Sequence, residues 1–128
     1  MNTSIQKIIY RNEAYEIIGI CMEVHRLLGK GHSEVVYKDA LEYEFQQNGI
    51  LFSREKRYQI RYKTIILPHR YKADFVVFDK IILEAKAIEC LTNSHIKQTL
   101  NYLAASGKKL GLLVNFGEDS LKYRRVVL

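Results

Sequence analysis

Two short apolar runs rich in β-forming residues lie side by side near the middle of the chain and carry charges that restrict how they can fold. The stretch reads Ala73-Asp74-Phe75-Val76-Val77-Phe78-Asp79-Lys80-Ile81-Ile82-Leu83-Glu84-Ala85-Lys86. Runs that are apolar on both faces belong to central strands covered by other layers. Asp74, Glu84 and Lys86 are then carried into the interior. An unpaired charge is costly there unless it meets an opposite charge or a metal ion. An exposed edge would solvate the charges but would leave Ile81, Ile82 and Leu83 as a sticky border.

Glu84 and Lys86 are two apart on a strand and share a face. A two-residue turn at Asp79-Lys80 would pair Asp74 with Ala85 and aim Asp74 at the opposite face. A turn of three or five residues, or one bulge, pairs Asp74 with Glu84 or Lys86. With that register, Asp74 and Glu84 offer hard oxygen ligands to Mg²⁺, joined by the carbonyl of Ala85. Such an ion neutralises a phosphate oxygen and lowers the pKa of a bound water. Lys86 is placed to orient that water and to stabilise negative charge.

The other elements follow from periodicity. Asn12 is the expected cap of a first helix, with Ala14, Ile17, Ile18, Cys21, Val24 and Leu28 at helical spacing and Gly29 as its stop. The residues before Asn12 fit a tail, a short strand or an extra helical turn. Ser33 caps a second helix with the stripe Val36, Tyr37, Ala40, Leu41, Glu44 and Phe45, ended by Asn48-Gly49. Tyr58, Ile60 and Tyr62 alternate with polar residues as a half-exposed strand within residues 54–63. A separate short strand is expected at Ile65–Leu67, stopped by Pro68, before the central strands Tyr71–Phe78 and Ile81–Ala87. A third helix begins near Thr92, Asn93 or Ser94, turns Ile96, Leu100, Leu103 and Ala104 inward, and ends at Gly107. Strands at Leu110–Val114 and within Leu121–Leu128 complete the chain. The expected class is α/β, one domain over residues 1–128, with a mixed central sheet flanked by helices.

Bulk properties narrow the function. A chain of 128 residues supports one core. Its net charge of +6 favours an acidic partner, nucleic acid above all. Two isolated cysteines, Cys21 and Cys90, form no disulfide framework and suit a reducing cytoplasm. Met1–Tyr10 lacks the apolar core of a signal peptide, and no run nears the ~20 apolar residues that span a bilayer. The four histidines, His25, His32, His69 and His95, lack zinc spacing.

Further residues add to the central pair. Gln98 and Tyr102, at i and i+4, share a face of the third helix apart from its apolar stripe. Gln98 suits a hydrogen bond to water, a metal ligand or phosphate. Tyr102 suits the nucleic-acid backbone or a base. Glu34, in the first turn of the second helix, either complements the helix dipole and pairs with Lys38 or supplies a third acid at the metal. Lys72, Lys97, Lys108, Lys109, Lys122, Arg124 and Arg125 are candidates for a phosphate track.

Together these residues resemble a known family. Gly31-His32-Ser33-Glu34-Val35-Val36-Tyr37 reads G-x-x-E-x-x-Y, and it is followed in order by Asp74, Glu84-x-Lys86, Gln98-x-x-x-Tyr102 and Asn115-Phe116-Gly117. The chain is similar to the GxxExxY proteins, a branch of the PD-(D/E)XK nuclease superfamily, from about Asn12 to the C-terminus. The resemblance implies a restriction-endonuclease-like αβββαβ core and Mg²⁺-dependent cleavage of phosphodiester bonds, with Mn²⁺ able to substitute. It implies that Asp74 and Glu84 are metal ligands, that Lys86 is catalytic and that Glu34 is the motif glutamate. Gln98 and Tyr102 resemble the QxxxY element of RecB-like exonucleases. With Lys72, Lys97 and Tyr37 they form the expected nucleic-acid contacts. His25 resembles a family-typical histidine, for which helix packing is the expected role. The chain departs from the pattern at Ala73, where many members have proline, and at Lys30.

The leading expectation is a cytoplasmic nuclease acting on DNA in repair or recombination, as a monomer or homodimer and away from membranes. One alternative is a non-catalytic nucleic-acid or protein binding module on the same fold. Another is a dimeric Holliday-junction-type resolvase.

Overall fold

A computed structural model describes residues 8–128, so the segment left open as tail, strand or helical turn lies mostly outside the described residues. The order is α1 (Arg11–Leu28), α2 (Glu34–Gln47), β1 (Phe52–Tyr62), β2 (Ile65–Val77), β3 (Ile81–Lys86), α3 (Asn93–Ser106), β4 (Leu110–Asn115) and β5 (Lys122–Val127). The strands form one sheet in the order β1-β2-β3-β4-β5. Among the described strands only β3 and β4 run parallel, joined through α3, and the other neighbours are antiparallel.

The sheet divides the core in two. Phe75, Val77, Ile81, Leu83, Leu110, Leu112 and Val114 pack with α1 and α2. Val76, Ile82 and Leu113 pack with α3 through Leu103. This period-2 division explains why β3 and β4 read as unbroken apolar runs: both of their faces are covered. No described helix is long and apolar enough to cross a membrane.

Three sequence expectations need correction. Helix α1 begins at Arg11, so Asn12 lies inside its first turn, after Tyr10 in a left-handed conformation (φ 52°). Pro68 does not separate two strands, because β2 runs through it as one strand. The register with β1 passes from Gln59↔Arg70 to Arg61↔Ile66, so Leu67, Pro68 and His69 stand opposite Ile60 alone. A bulge leaves proline's missing donor harmless, and the Arg70 guanidinium donates to the carbonyls of Leu67, Pro68 and His69. Ala104, expected inside, is exposed; Thr99 and Leu103 are the buried residues of α3.

The motif residues around the α1–α2 turn are structural. Tyr37 is fully buried and stacks on Phe116 at 4.6 Å. Its hydroxyl donates to Gly29 O (2.6 Å) and accepts from the His32 N–H (3.3 Å). His25 is buried with its Nε2 2.9 Å from Glu118 O, a packing role. Buried Asn115 is satisfied on both sides. Its Oδ1 accepts from the Ile88 and Gly117 N–H groups, and its Nδ2 donates to Ile88 O and Glu118 Oε2. Gly117 is required because a Cβ there would collide with the backbone of Ile88. The segment Asn115-Phe116-Gly117 thus splints the end of β4 to the chain leaving β3.

Candidate active site

The β2–β3 connection is a three-residue turn, Phe78-Asp79-Lys80, with Val77 opposite Ile81 and Phe75 opposite Leu83. Phe78 and Asp79 both have left-handed φ (58° and 56°). Continuing that register brings Asp74 opposite Glu84, the alignment an odd-length turn demands. The backbone ladder ends at Phe75 and Leu83. Beyond it the side chains replace the ladder: the Asp74 N–H donates to Glu84 Oε2 (2.8 Å), and the Ala85 N–H donates to Asp74 Oδ2 (2.9 Å). The strands therefore part at the two acids, which lie in the resulting gap. A strand residue's N–H and C=O leave along the same edge, so the Ala85 carbonyl is directed toward the gap as well.

A local irregularity aims Asp74. Ala73 packs on the α3 side and Phe75 on the α1–α2 side. On β1, Arg54 and Lys56 pair with Phe75 and Ala73, while the intervening Glu55 drops out of the ladder with φ 56°. A left-handed non-glycine residue costs on the order of 1–3 kcal/mol unless its surroundings hold it. Glu55 is held by Lys38 at 3.2 Å and Lys72 at 3.3 Å.

The electrostatics follow from this crowding. Glu84 is buried, and burial pushes its carboxyl up to about 8. Asp74 adds to the rise, while the Asp74 N–H, Lys86 and Lys38 oppose it. Lys38, on α2, lies 3.2 Å from Asp74 Oδ1. Burial works against its ammonium, but Asp74 and Glu55 outweigh that and raise its pKa. Lys86 is half-buried and donates to Gln98 Oε1 at 3.4 Å. Tyr102 stands against Tyr71 with ring centroids 5.0 Å apart. Burial pushes its phenol up to about 12, helped by the charges of Glu84 and Asp74.

The structure thus gathers Asp74, Glu84, Ala85, Lys86, Gln98 and Tyr102 around one gap. Glu34 is not gathered in. Among the described residues no three His, Cys, Asp or Glu side chains meet closely enough to hold a metal, and Lys38, one turn further along α2, takes the place beside Asp74. Tyr37 is corrected from a nucleic-acid contact to a core residue, because a side chain with no exposed surface cannot touch a ligand. Lys72 is engaged by Glu55, and Lys97 is exposed on α3. Lys108 and Lys109 precede Leu110, which pairs with Ile81 at the far end of β3, roughly 16 Å of strand from Lys86. Lys108 there bonds Asp79 O at 3.0 Å. These two lysines belong to the turn end of the sheet rather than to the site. Both cysteines are free, and burial pushes the Cys21 thiol up to about 12, which leaves it inert.

Three residues at or beside the gap went unassigned by sequence reasoning: Lys38, Glu55 and Tyr71. Lys38 left a trace, since it is four residues beyond Glu34 on the same helical face. Glu55 left none, because its role depends on a backbone kink.

Comparison with known proteins agrees with the architecture. None of the curated protein sequences compared matches the chain. The solved structure of SSO0001 superposes with TM-score 0.59 at 18% identity, over 72% of this chain and 48% of that one, so the chain spans about half its length. An alkaline exonuclease from Laribacter hongkongensis aligns with TM-score 0.43 at 16% identity, over 96% of this chain and 72% of that one. The mixed sheet between helices is restriction-endonuclease-like, and residues 11–126 match the model of the PD-(D/E)XK nuclease superfamily, to which this chain belongs.

Proposed function

We propose that the protein is a Mg²⁺-dependent phosphodiesterase of nucleic acid, with DNA the expected substrate. The observation that carries this reading is the crossed pair at the gap, where each acid accepts an N–H from the opposite strand. Asp74 and Glu84 are thereby locked side by side in a place where Glu84 resists ionising without an added cation. Their carboxylates and the Ala85 carbonyl form an all-oxygen donor set of the kind a hard divalent ion prefers. When bound, the ion neutralises a phosphate oxygen and lowers the pKa of a water.

The chain's own groups do the rest. Lys86, steadied by Gln98, orients the attacking water and stabilises charge growing on the phosphoryl oxygens. Lys38 holds Asp74 in line and offsets the repulsion between the two acids. Lys86→Ala and Asp74→Asn are each expected to lower Mg²⁺-dependent cleavage of a labelled oligonucleotide by about 10²–10³-fold, with circular dichroism unchanged. Undiminished cleavage by both variants would remove these residues from the mechanism.

A further inference from the structure

The chain's positive charge is concentrated in one place. Residues 56–72 hold six Lys and Arg and no Asp or Glu, which equals the net +6 of the whole chain and leaves the remainder neutral. This segment is the part of the β1–β2 ribbon that runs past the gap, beyond the three residues by which β3 pairs with β2. Lys56, Arg57, Arg61 and Lys63 make no ion pair with any described residue, unlike Lys72.

Between this ribbon and α3 lies an open groove of about 830 Å³. Its ribbon side carries Arg57, Tyr58, Arg61 and Tyr71, and its helix side carries Asn101 and the small Ala104. The groove borders the site: Tyr71 in its lining stands against Tyr102 with ring centroids 5.0 Å apart, and Tyr102 lies one turn along α3 from Gln98, which accepts from Lys86 at 3.4 Å.

Building on the nuclease reading above, we propose that this groove is a track for single-stranded nucleic acid that leads a strand to the Asp74–Glu84 gap. Exposed arginines on the ribbon take phosphates, and the tyrosines of the floor take bases. An aromatic floor distinguishes the occupant. Bases inside a duplex are already stacked and gain nothing from it, whereas each unstacked base gains about 1–3 kcal/mol on an aromatic ring. The deoxy and ribo forms share this chemistry of phosphate and base.

Binding in EDTA separates this proposal from the nuclease reading. Fluorescence anisotropy with labelled dT20, rU20 and a 20-base-pair duplex (each over a salt series) is the measurement. Tighter binding of dT20 or rU20 than of the duplex is expected, and either strand preferred over the other identifies its source. In Arg57→Ala/Arg61→Ala the slope of log K against log salt falls by about 1.4 for a single strand. Lys108→Ala/Lys109→Ala, which removes the same charge from the turn end of the sheet, leaves the slope unchanged. Tyr58→Ala weakens binding by about 5- to 150-fold and Tyr58→Phe does not. Thermal melts confirm folding, and the exposed arginine pair tests the track even where Tyr58→Ala unfolds. Tighter duplex binding, or a ribbon variant that binds like the parent, overturns the track, even in a protein that cleaves. Ribbon-dependent binding by a protein that cuts nothing keeps the track and overturns the nuclease reading.

Discussion

A single carboxyl sets the chemistry of the gap. Glu84 is held above its ordinary value of 4.5, at about 8, chiefly by burial and then by Asp74. Between those values the folded, metal-free protein binds a proton more tightly than the unfolded chain does. Its stability therefore falls as pH rises from about 4.5 to about 8 and levels off above. Glu84→Gln removes that slope, so in EDTA at pH 9 its melting midpoint is expected to exceed the parent's by about 5 °C or more. On the proposed reading, Mg²⁺ affinity would have the opposite sense. The ion must displace the Glu84 proton, so calorimetry is expected to show affinity rising up to about pH 8 and then flattening. Tyr37 presents the contrasting case of a motif residue whose work is structural. Tyr37→Phe strands Gly29 O and is expected to cost about 1–2 kcal/mol in denaturant melts, with single-strand binding unaltered.

At the scale of elements, the gap exists because β2 and β3 share only three paired positions before the acids intervene. Pairing on both sides would have filled that edge with backbone bonds and left no space for a ligand. The opposite border of β3 is held firmly by the parallel ladder to β4, from Ile81↔Leu110 to Lys86↔Asn115. The Phe116 N–H donating to Lys86 O at 2.7 Å extends the clamp past the strand end. Lys86 thus extends from a rigid strand toward a partner on α3. Gly117→Ala tests the clamp. A methyl driven into the Ile88 backbone is expected to cost about 1–3 kcal/mol and to lower kcat more than KM, because it shifts the base on which Lys86 stands.

Across the whole molecule, three layers perform separate tasks. Helices α1 and α2 close one face of the sheet and deliver Lys38 to Asp74, α3 closes the other and brings Gln98 and Tyr102, and the ribbon carries the positive field. Holding two acids at the gap opposes stability in the absence of a cation, so on the proposed reading a bound metal would be thermodynamically linked to the fold. At 100 times its Kd, Mg²⁺ is expected to stabilise the protein by about 2.7 kcal/mol, read as a rise in melting midpoint that Asp74→Asn abolishes. A midpoint indifferent to Mg²⁺ would break the link between the gap and the ion.

The elements and their order were legible in the sequence because they follow from local patterns. Apolar residues every three or four positions mark the helices, two-sided apolar runs mark β3 and β4, and glycines end α1 and α3. The acids and the lysine stood out as charges embedded in such runs. Tertiary structure alone decided what depends on distant neighbours. Pro68 sits inside a strand because a bulge excuses its missing donor. Tyr37 is core because Phe116 lies against it. Lys38, rather than Glu34, reaches Asp74 (3.2 Å) because the packing of α2 on the sheet sets that turn of the helix beside the acid. Local spacing determines which way a side chain leaves its own element, whereas which element faces it is settled only when the layers pack.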